Sequence, residues 1–142
     1  MTVLVDTNVF IRLLVFPRMG HLGRPFREAR AFIGASERGE LEFTTSEAVV
    51  TEAVFVMASV YKADRDEIAR GLTRLLMSPG CVMPTRDVCA EALRVWSTTG
   101  ALSIVDALLA VTAMRSGFEL ATLDDKLARY STAPIWTSSQ ED

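Results

Sequence analysis

The sequence has few of the residues on which zinc sites, disulfide frameworks and histidine-based catalysis depend. Cys81 and Cys89 are its two cysteines, and their spacing matches no zinc-binding signature. His21 is the single histidine, and no nucleophile motif lies near it. We therefore expect reduced thiols and no Ser-His-Asp triad.

Long apolar runs are also missing. No stretch approaches the ~20 residues that a membrane-spanning helix needs, and the N-terminus lacks the basic and apolar regions of a signal peptide. These absences predict a cytoplasmic protein. The 142 residues are enough for one domain over residues 1–142, with a polar tail at 138–142 that we expect to fray.

The formal net charge of −3 argues against a large nucleic-acid-binding surface. Locally, however, six arginines and only two acidic residues, Glu28 and Glu37, occupy one N-terminal stretch. Two interpretations stay open for this stretch, a solvated helix face or a rim that contacts phosphates. The candidate RNA-binding residues of such a rim are Arg24, Arg27 and Arg30.

Helical and strand patterns alternate along the chain. Strands are predicted at 3–5, 41–44, 82–83, 118–122 and 133–137, and helices at 9–15, 26–36, 46–61, 64–77, 86–97, 103–117 and 125–129. Glycines and prolines mark a loop at 16–25. This alternation predicts an α/β protein, a three-layer α/β/α arrangement with a central, mainly parallel sheet of about four or five strands.

Four carboxylates have apolar sequence neighbours. Asp6 ends the first predicted strand, Glu52 lies in an apolar helix, Asp106 is near a helix start, and Asp124 follows the strand at 118–122. A charge in apolar surroundings costs several kcal/mol unless it is paired or binds a cation. Lys126 is the only basic residue close to any of them in sequence, so we expect a cation from solution.

The positions of these acids are mutually consistent. The carboxyl ends of parallel strands meet at one sheet edge, where ligands of such folds gather. Oxygen-only ligands fit Mg²⁺ or Mn²⁺ rather than zinc. Such ions lower the pKa of a bound water and stabilise in-line displacement at phosphorus. The pattern is typical of metal-dependent chemistry at phosphorus, which then requires no covalent nucleophile.

Each residue also has a purely structural interpretation. Asp6 and Asp124 are able to cap the helices that follow them, Asp106 suits the first turn of a helix, and Glu52 suits a surface salt bridge. The polar residues beside the acids either orient the metal ligands or form caps and turns. These neighbours are Thr7, Asn8 and Thr122.

Four segments carry a resemblance to a known family: Val5-Asp6-Thr7-Asn8, Thr51-Glu52, Asp106 to Ala113, and Ala121-Thr122-Leu123-Asp124. On these motifs the sequence resembles PIN-domain ribonucleases, and more particularly VapC-type toxins of type II toxin–antitoxin systems. The resemblance covers almost the whole chain. It implies a PIN-like fold and a Mg²⁺- or Mn²⁺-dependent endoribonuclease, with a cognate antitoxin and a homodimer as partners.

The resemblance also assigns the site. Its catalytic residues fall on Asp6, Glu52, Asp106 and Asp124, of which Asp6, Asp106 and Asp124 would hold the metal. Glu52 would bind metal or position the attacking water. Thr7 and Asn8 match the family's hydroxyl position after the first acid, and Thr122 matches the hydroxyl position before the last acid.

Other functions stay open. An aspartyl-nucleophile phosphatase would also place Asp6 after the first strand, but Asn8 stands where its general acid is expected and cannot transfer a proton. A PIN-like interaction module, or a nuclease for another nucleic acid, is the remaining alternative. Residues that either fill the core or form a partner surface are Phe10, Leu13, Leu14, Phe16, Phe55 and Met57.

Overall fold

The computed structural model describes residues 1–15, 17 and 23–138. Its elements are β1 (Thr2–Leu4), α1 (Thr7–Leu14), α2 (Arg24–Glu37), β2 (Glu42–Thr44), α3 (Glu47–Ser59), α4 (Arg65–Leu76), α5 (Arg86–Thr99), α6 (Ile104–Ser116) and α7 (Asp125–Tyr130). Every helix in these ranges begins and ends within two residues of its predicted bounds. Three parts of the chain lie outside the described residues: Phe16, residues 18–22 with Arg18 and His21, and residues 139–142, which are most of the predicted tail.

Side-chain caps explain why the helix bounds were predictable. The Ser46 hydroxyl accepts a hydrogen bond from the Val49 amide at 3.2 Å and so starts α3. The Ser103 hydroxyl starts α6 in the same way. Gly117 ends α6 with a φ of 69°, a left-handed conformation that glycine adopts without strain.

The start of α2 differs from the prediction. Gly23 is its N-cap and Pro25 lies in its first turn, although both were expected to belong to a loop. Proline is accepted there because the first helical amides have no partner within the helix. The rest of the predicted 16–25 loop, apart from Pro17, Gly23, Arg24 and Pro25, is not among the described residues.

The sheet is parallel, as predicted, and two strands of it occur among the described residues. β1 pairs with β2 in parallel, with Thr2 opposite Glu42 and Leu4 opposite Thr44. Single parallel bridges join Phe43 to Cys81, next to the predicted strand at 82–83, and Leu120 to Ile135, within the predicted strands at 118–122 and 133–137. The α/β class therefore holds, whereas three layers with four or five strands stay a prediction.

Strand β1 is not buried, although its short run of apolar, β-branched residues predicts a buried strand. All three of its residues are exposed, with Leu4 75% accessible, and burial begins at Val5. In the described residues β1 pairs with β2 alone, so its other edge has no strand partner among them.

Two apolar clusters form the core. The larger one joins α1, α3, α4 and α5 to β2, around side chains that include Phe10, Phe43, Met57, Leu72, Leu76 and Leu93. The smaller one consists of Leu102, Ala110, Ala113, Leu120, Leu127 and Ala133. Helix α6 contributes to both, since its Ala107 and Val111 belong to the larger cluster. Each large side chain buried in this way contributes about 1.5–3 kcal/mol.

The residues considered for a partner surface divide clearly. Phe10 and Met57 are fully buried and therefore belong to the core, whereas Phe55 is 65% exposed on α3. Leu13 and Leu14 are half-buried at the end of α1. Among the described helices, none combines the length and apolar character that crossing a bilayer requires.

A buried turn after α4 ties α2 to β2. The hydroxyls of Ser36 and Ser78 lie 3.1 Å apart, and Ser78 also donates to the Leu75 carbonyl at 2.9 Å. The Gly80 amide donates to the Ser36 carbonyl, and its own carbonyl accepts from Phe43. Gly80 must be a glycine because a Cβ would lie 2.2 Å from the Leu41 carbonyl oxygen.

Candidate functional site

Asp6 stands between β1 and α1. One of its oxygens, Oδ1, accepts a hydrogen bond from the Asn8 amide at 3.1 Å, so Asp6 is the N-cap of α1. The capping interpretation of this residue is therefore correct. The cap uses one oxygen, and no hydrogen bond to Oδ2 occurs among the described residues, so the exposed carboxylate keeps ligand capacity.

Thr7 connects Asp6 to the second acid. Its side chain is buried, and Oγ1 donates a hydrogen bond to Oε2 of Glu52 on α3 at 3.1 Å. Glu52 forms no ion pair with any described residue. The contact holds Glu52 beside the position that follows Asp6.

Asp106 and Asp124 are both at helix starts. Asp106 is half-buried in the first turn of α6, where its amide donates to the Ser103 hydroxyl at 3.1 Å. Asp124 caps α7 through Oδ1, which accepts from the amides of Lys126 and Leu127. The Thr122 hydroxyl accepts from the Asp124 amide at 3.0 Å and so orients the backbone of Asp124 rather than its carboxylate.

The helices that carry or follow the four acids are connected by pairwise packing: α1 packs on α3, α3 on α6, and α6 on α7. None of the four carboxylates pairs with a lysine or arginine within the described ranges. The structure joins Asp6 and Glu52 through Thr7. In the same ranges no three acidic, cysteine or histidine side chains already form a metal-binding group, so the predicted metal site stays a prediction.

The surroundings of the acids differ from the expectation. Asp6, Glu52 and Asp124 are exposed, although apolar residues flank each of them in sequence. On a helix, successive side chains point in different directions, so Ala53 and Val54 are buried while Glu52 faces solvent. The donors are therefore accessible. Four carboxylates without cationic partners fit Mg²⁺ or Mn²⁺ by the chemistry of their oxygens.

The N-terminal arginines lie away from the acids. Arg24, Arg27 and Arg30 are exposed on α2, and Arg24 pairs with Glu28 at 2.8 Å. Arg27 and Arg30 line a cleft of about 840 Å³ between α1, α2 and α4, whose apolar wall includes Leu14. Leu14 ends α1 and Asp6 begins it, which separates them by about 12 Å along the helix axis.

A nearer basic group was not predicted. Lys126, Arg129 and Tyr130 of α7 line a cleft of about 350 Å³ together with Ala101. The signal was present in the sequence, because positions i, i+3 and i+4 share one helix face and follow directly after Asp124.

Comparison with known proteins adds a family. The model of the family described as PIN domain matches residues 3–133, which is most of the chain. Domains of this kind have an α/β fold and are generally metal-dependent nucleases that act on nucleic acids, typically with divalent ions such as Mg²⁺ or Mn²⁺. A search of curated proteins finds no match.

Proposed function

The chain belongs to the PIN domain family, and we propose that it is a metal-dependent endoribonuclease, the toxin component of a VapC-type toxin–antitoxin pair. The observation that carries this proposal is the hydrogen bond from Thr7 to Glu52. It joins the residue after Asp6 to a second acid that has no cationic partner among the described residues. Carboxylate oxygens supplied by two acids are the kind of ligand that a divalent cation such as Mg²⁺ takes.

In this proposal Asp6, Asp106 and Asp124 hold Mg²⁺ or Mn²⁺, and Glu52 binds metal or positions the attacking water. When bound, such an ion lowers the pKa of water and stabilises the charge that develops at phosphorus. Thr7 keeps Glu52 oriented by donating to Oε2. The Asn8 amide and the Thr122 hydroxyl hold Asp6 and Asp124 at their helix starts.

The proposed substrate is RNA, cleaved at internal phosphodiester bonds. The arginines Arg24, Arg27 and Arg30 are proposed to contact phosphates distant from the cut, because their helix lies at the far end of α1. Unchanged RNA affinity and unchanged salt dependence after charge reversal at Arg27 and Arg30 would contradict this part.

The proposed partners are a cognate antitoxin and a second copy of the chain. Exposed apolar residues such as Phe55 support a protein-binding surface. The free, buried thiols of Cys81 and Cys89 agree with the proposed cytoplasmic location. We also propose that residues 1–142 form one PIN domain with three layers, in which the two isolated bridges mark the remaining strands.

The decisive experiment is sequencing of RNA 5′ ends after expression of the wild-type chain and of Asp6→Ala. We expect new 5′ ends with the wild type alone, and loss of cleavage by the purified chain when EDTA removes divalent ions. Folding of Asp6→Ala is checked by circular dichroism. Identical 5′ ends with both chains would instead favour an interaction module, and a trapped phosphate on Asp6 would favour a phosphatase.

A further inference from the structure

We propose that Lys126, Arg129 and Tyr130 form the subsite that holds the single-stranded RNA segment next to the cleaved bond. This inference rests on the proposed ribonuclease function and deepens it. It assigns the near substrate contacts to α7 rather than to the basic stretch that stands out in the sequence.

The three side chains form one surface. Positions 126, 129 and 130 share a face of α7 because they are three and four residues apart. That face lines the cleft of about 350 Å³, to which Ala101 also contributes. The volume lies within the range of roughly 300–1,000 Å³ that is usual for ligand sites.

The subsite adjoins the proposed catalytic acids. Asp124 caps the helix that carries it, and Arg129 follows about 7.5 Å further along the axis. Ala101 lies two residues before Ser103, which caps the helix of Asp106. Leu102 and Leu127 are buried in the same cluster, so α7 is packed against the segment that leads into α6.

The charges of this face are available to a phosphate. Neither Lys126 nor Arg129 forms an ion pair with another described residue. Arg129 donates from Nε to the Asp125 carbonyl at 3.2 Å, which leaves its two terminal nitrogens for a ligand. A polyanion that approaches four carboxylates needs such cations close by, since the chain as a whole carries a net charge of −3.

The aromatic ring distinguishes single-stranded RNA from other anions. Tyr130 is 46% exposed at the edge of the cleft, where an unpaired base is able to stack on it. Cationic side chains interleaved with an aromatic ring are the usual platform for single strands. The cleft near α2 also combines arginines with an aromatic ring, Phe26, but its Leu14 wall lies about 12 Å along α1 from Asp6.

The test measures binding of a labelled, mixed-sequence single-stranded RNA by fluorescence anisotropy at several salt concentrations. All chains carry Asp6→Asn, so that the probe stays intact. We expect Lys126→Glu with Arg129→Glu to weaken binding at least tenfold. The slope of log affinity against log salt should fall by about 1.4, because two single-strand phosphate contacts are lost at about 0.7 each.

Two controls separate a direct RNA contact by the α7 side chains from the effect of the chain's overall charge on RNA affinity. Lys62→Glu with Arg94→Glu makes the same charge change at two exposed positions, one between α3 and α4 and one on α5, and neither residue is ion-paired within the described ranges. It should leave the salt slope unchanged. Tyr130→Ala should weaken binding about 5- to 150-fold, and Tyr130→Phe should retain the affinity because the ring remains.

The outcomes are distinguishable. Equal losses in both double variants, or full affinity of the Lys126 and Arg129 variant, would overturn the subsite. If the double reversal unfolds, Lys126→Gln with Arg129→Gln replaces it and should lose the same salt slope. Cleavage is measured with chains that keep Asp6. If the wild type cuts RNA and the α7 variants cut it with the same KM, the α7 subsite is refuted while the proposed ribonuclease function stands. If the wild type neither binds nor cuts RNA, the proposed function fails as well.

Discussion

The hydroxyl of Thr7 donates a hydrogen bond of 3.1 Å to the carboxylate of Glu52, across 45 residues of sequence. The bond links α1 to α3 at the point where Asp6 ends the first strand. Because Thr7 is buried and Glu52 is exposed, it fixes the orientation of a side chain that solvent would otherwise leave free.

Replacing Thr7 with valine tests this contact. Valine has nearly the same shape but donates no hydrogen bond, so Glu52 loses its orientation. We expect ribonuclease activity to fall about 10- to 100-fold, the usual loss when a partner of a metal-site ligand is removed. Thr7→Ser keeps the donor and should retain most activity. Initial rates at several Mn²⁺ concentrations measure the effect, and wild-type rates for Thr7→Val would show that the contact is not functional.

Asp6 caps helix α1 and is proposed to bind the metal ion, and the substitution Asp6→Asn separates these two roles. Asparagine caps helices as well as aspartate does, whereas alanine does not. Asp6→Asn should therefore keep the wild-type free energy of unfolding, and Asp6→Ala should lose about 1 kcal/mol. Both should abolish cleavage, since neither supplies a carboxylate. Urea unfolding and RNA cleavage are measured on the same samples; an active Asp6→Asn chain would refute the site.

Gly80 should tolerate no side chain. In Gly80→Ala the new Cβ would lie 2.2 Å from the Leu41 carbonyl oxygen and 2.3 Å from the Ser36 hydroxyl. Relief requires backbone movement in a buried turn, so we expect a loss of about 1–3 kcal/mol in the free energy of unfolding.

Gly34 provides the matched control for Gly80. In Gly34→Ala the nearest atom is the end of the flexible Arg38 side chain at 3.1 Å. Alanine also favours the helix interior by about 1 kcal/mol, so this variant should be as stable as the wild type or more so. Thermal unfolding of both variants makes the comparison, and equal destabilisation would contradict the packing of the turn.

Stability should fall at alkaline pH through Cys89. Burial raises the pKa of its thiol to about 11 from an ordinary value of 9.0, with the nearby Glu47 charge acting in the same direction. Below pH 9 the thiol is protonated in both states, and stability is full. Between pH 9 and 11 the unfolded chain releases its proton first, so the free energy of unfolding declines. Urea titrations of wild type and Cys89→Ala measure this, and parallel curves would refute it.

The helices were predictable because their signals are local. Ser46 and Ser103 mark starts and Gly117 marks an end through contacts within one turn. The sheet was less predictable, because pairing depends on distant residues. Leu120 meets Ile135 at a single bridge, although the strand patterns at 118–122 and 133–137 suggested longer pairing.

The acids of the candidate site were predictable as a set, and their surroundings were not. Apolar neighbours suggested that Glu52 was buried, but helical geometry turns it to solvent. The partner of Glu52, Thr7, lies 45 residues away, a contact that spacing does not reveal. The basic face of α7 was present in the sequence and was overshadowed by the denser arginines of α2.

The division of the core into two clusters has a consequence for the order in which the site would come apart. The helices of Asp6 and Glu52 are anchored in the larger cluster, whereas Asp124 depends on six small or medium-sized apolar residues in the smaller one. Native-state hydrogen exchange typically reveals such units opening separately. Opening of the smaller unit would withdraw Asp124 and α7 while the Thr7–Glu52 contact persists. The proposed nuclease activity would then be lost reversibly, well before the chain denatures.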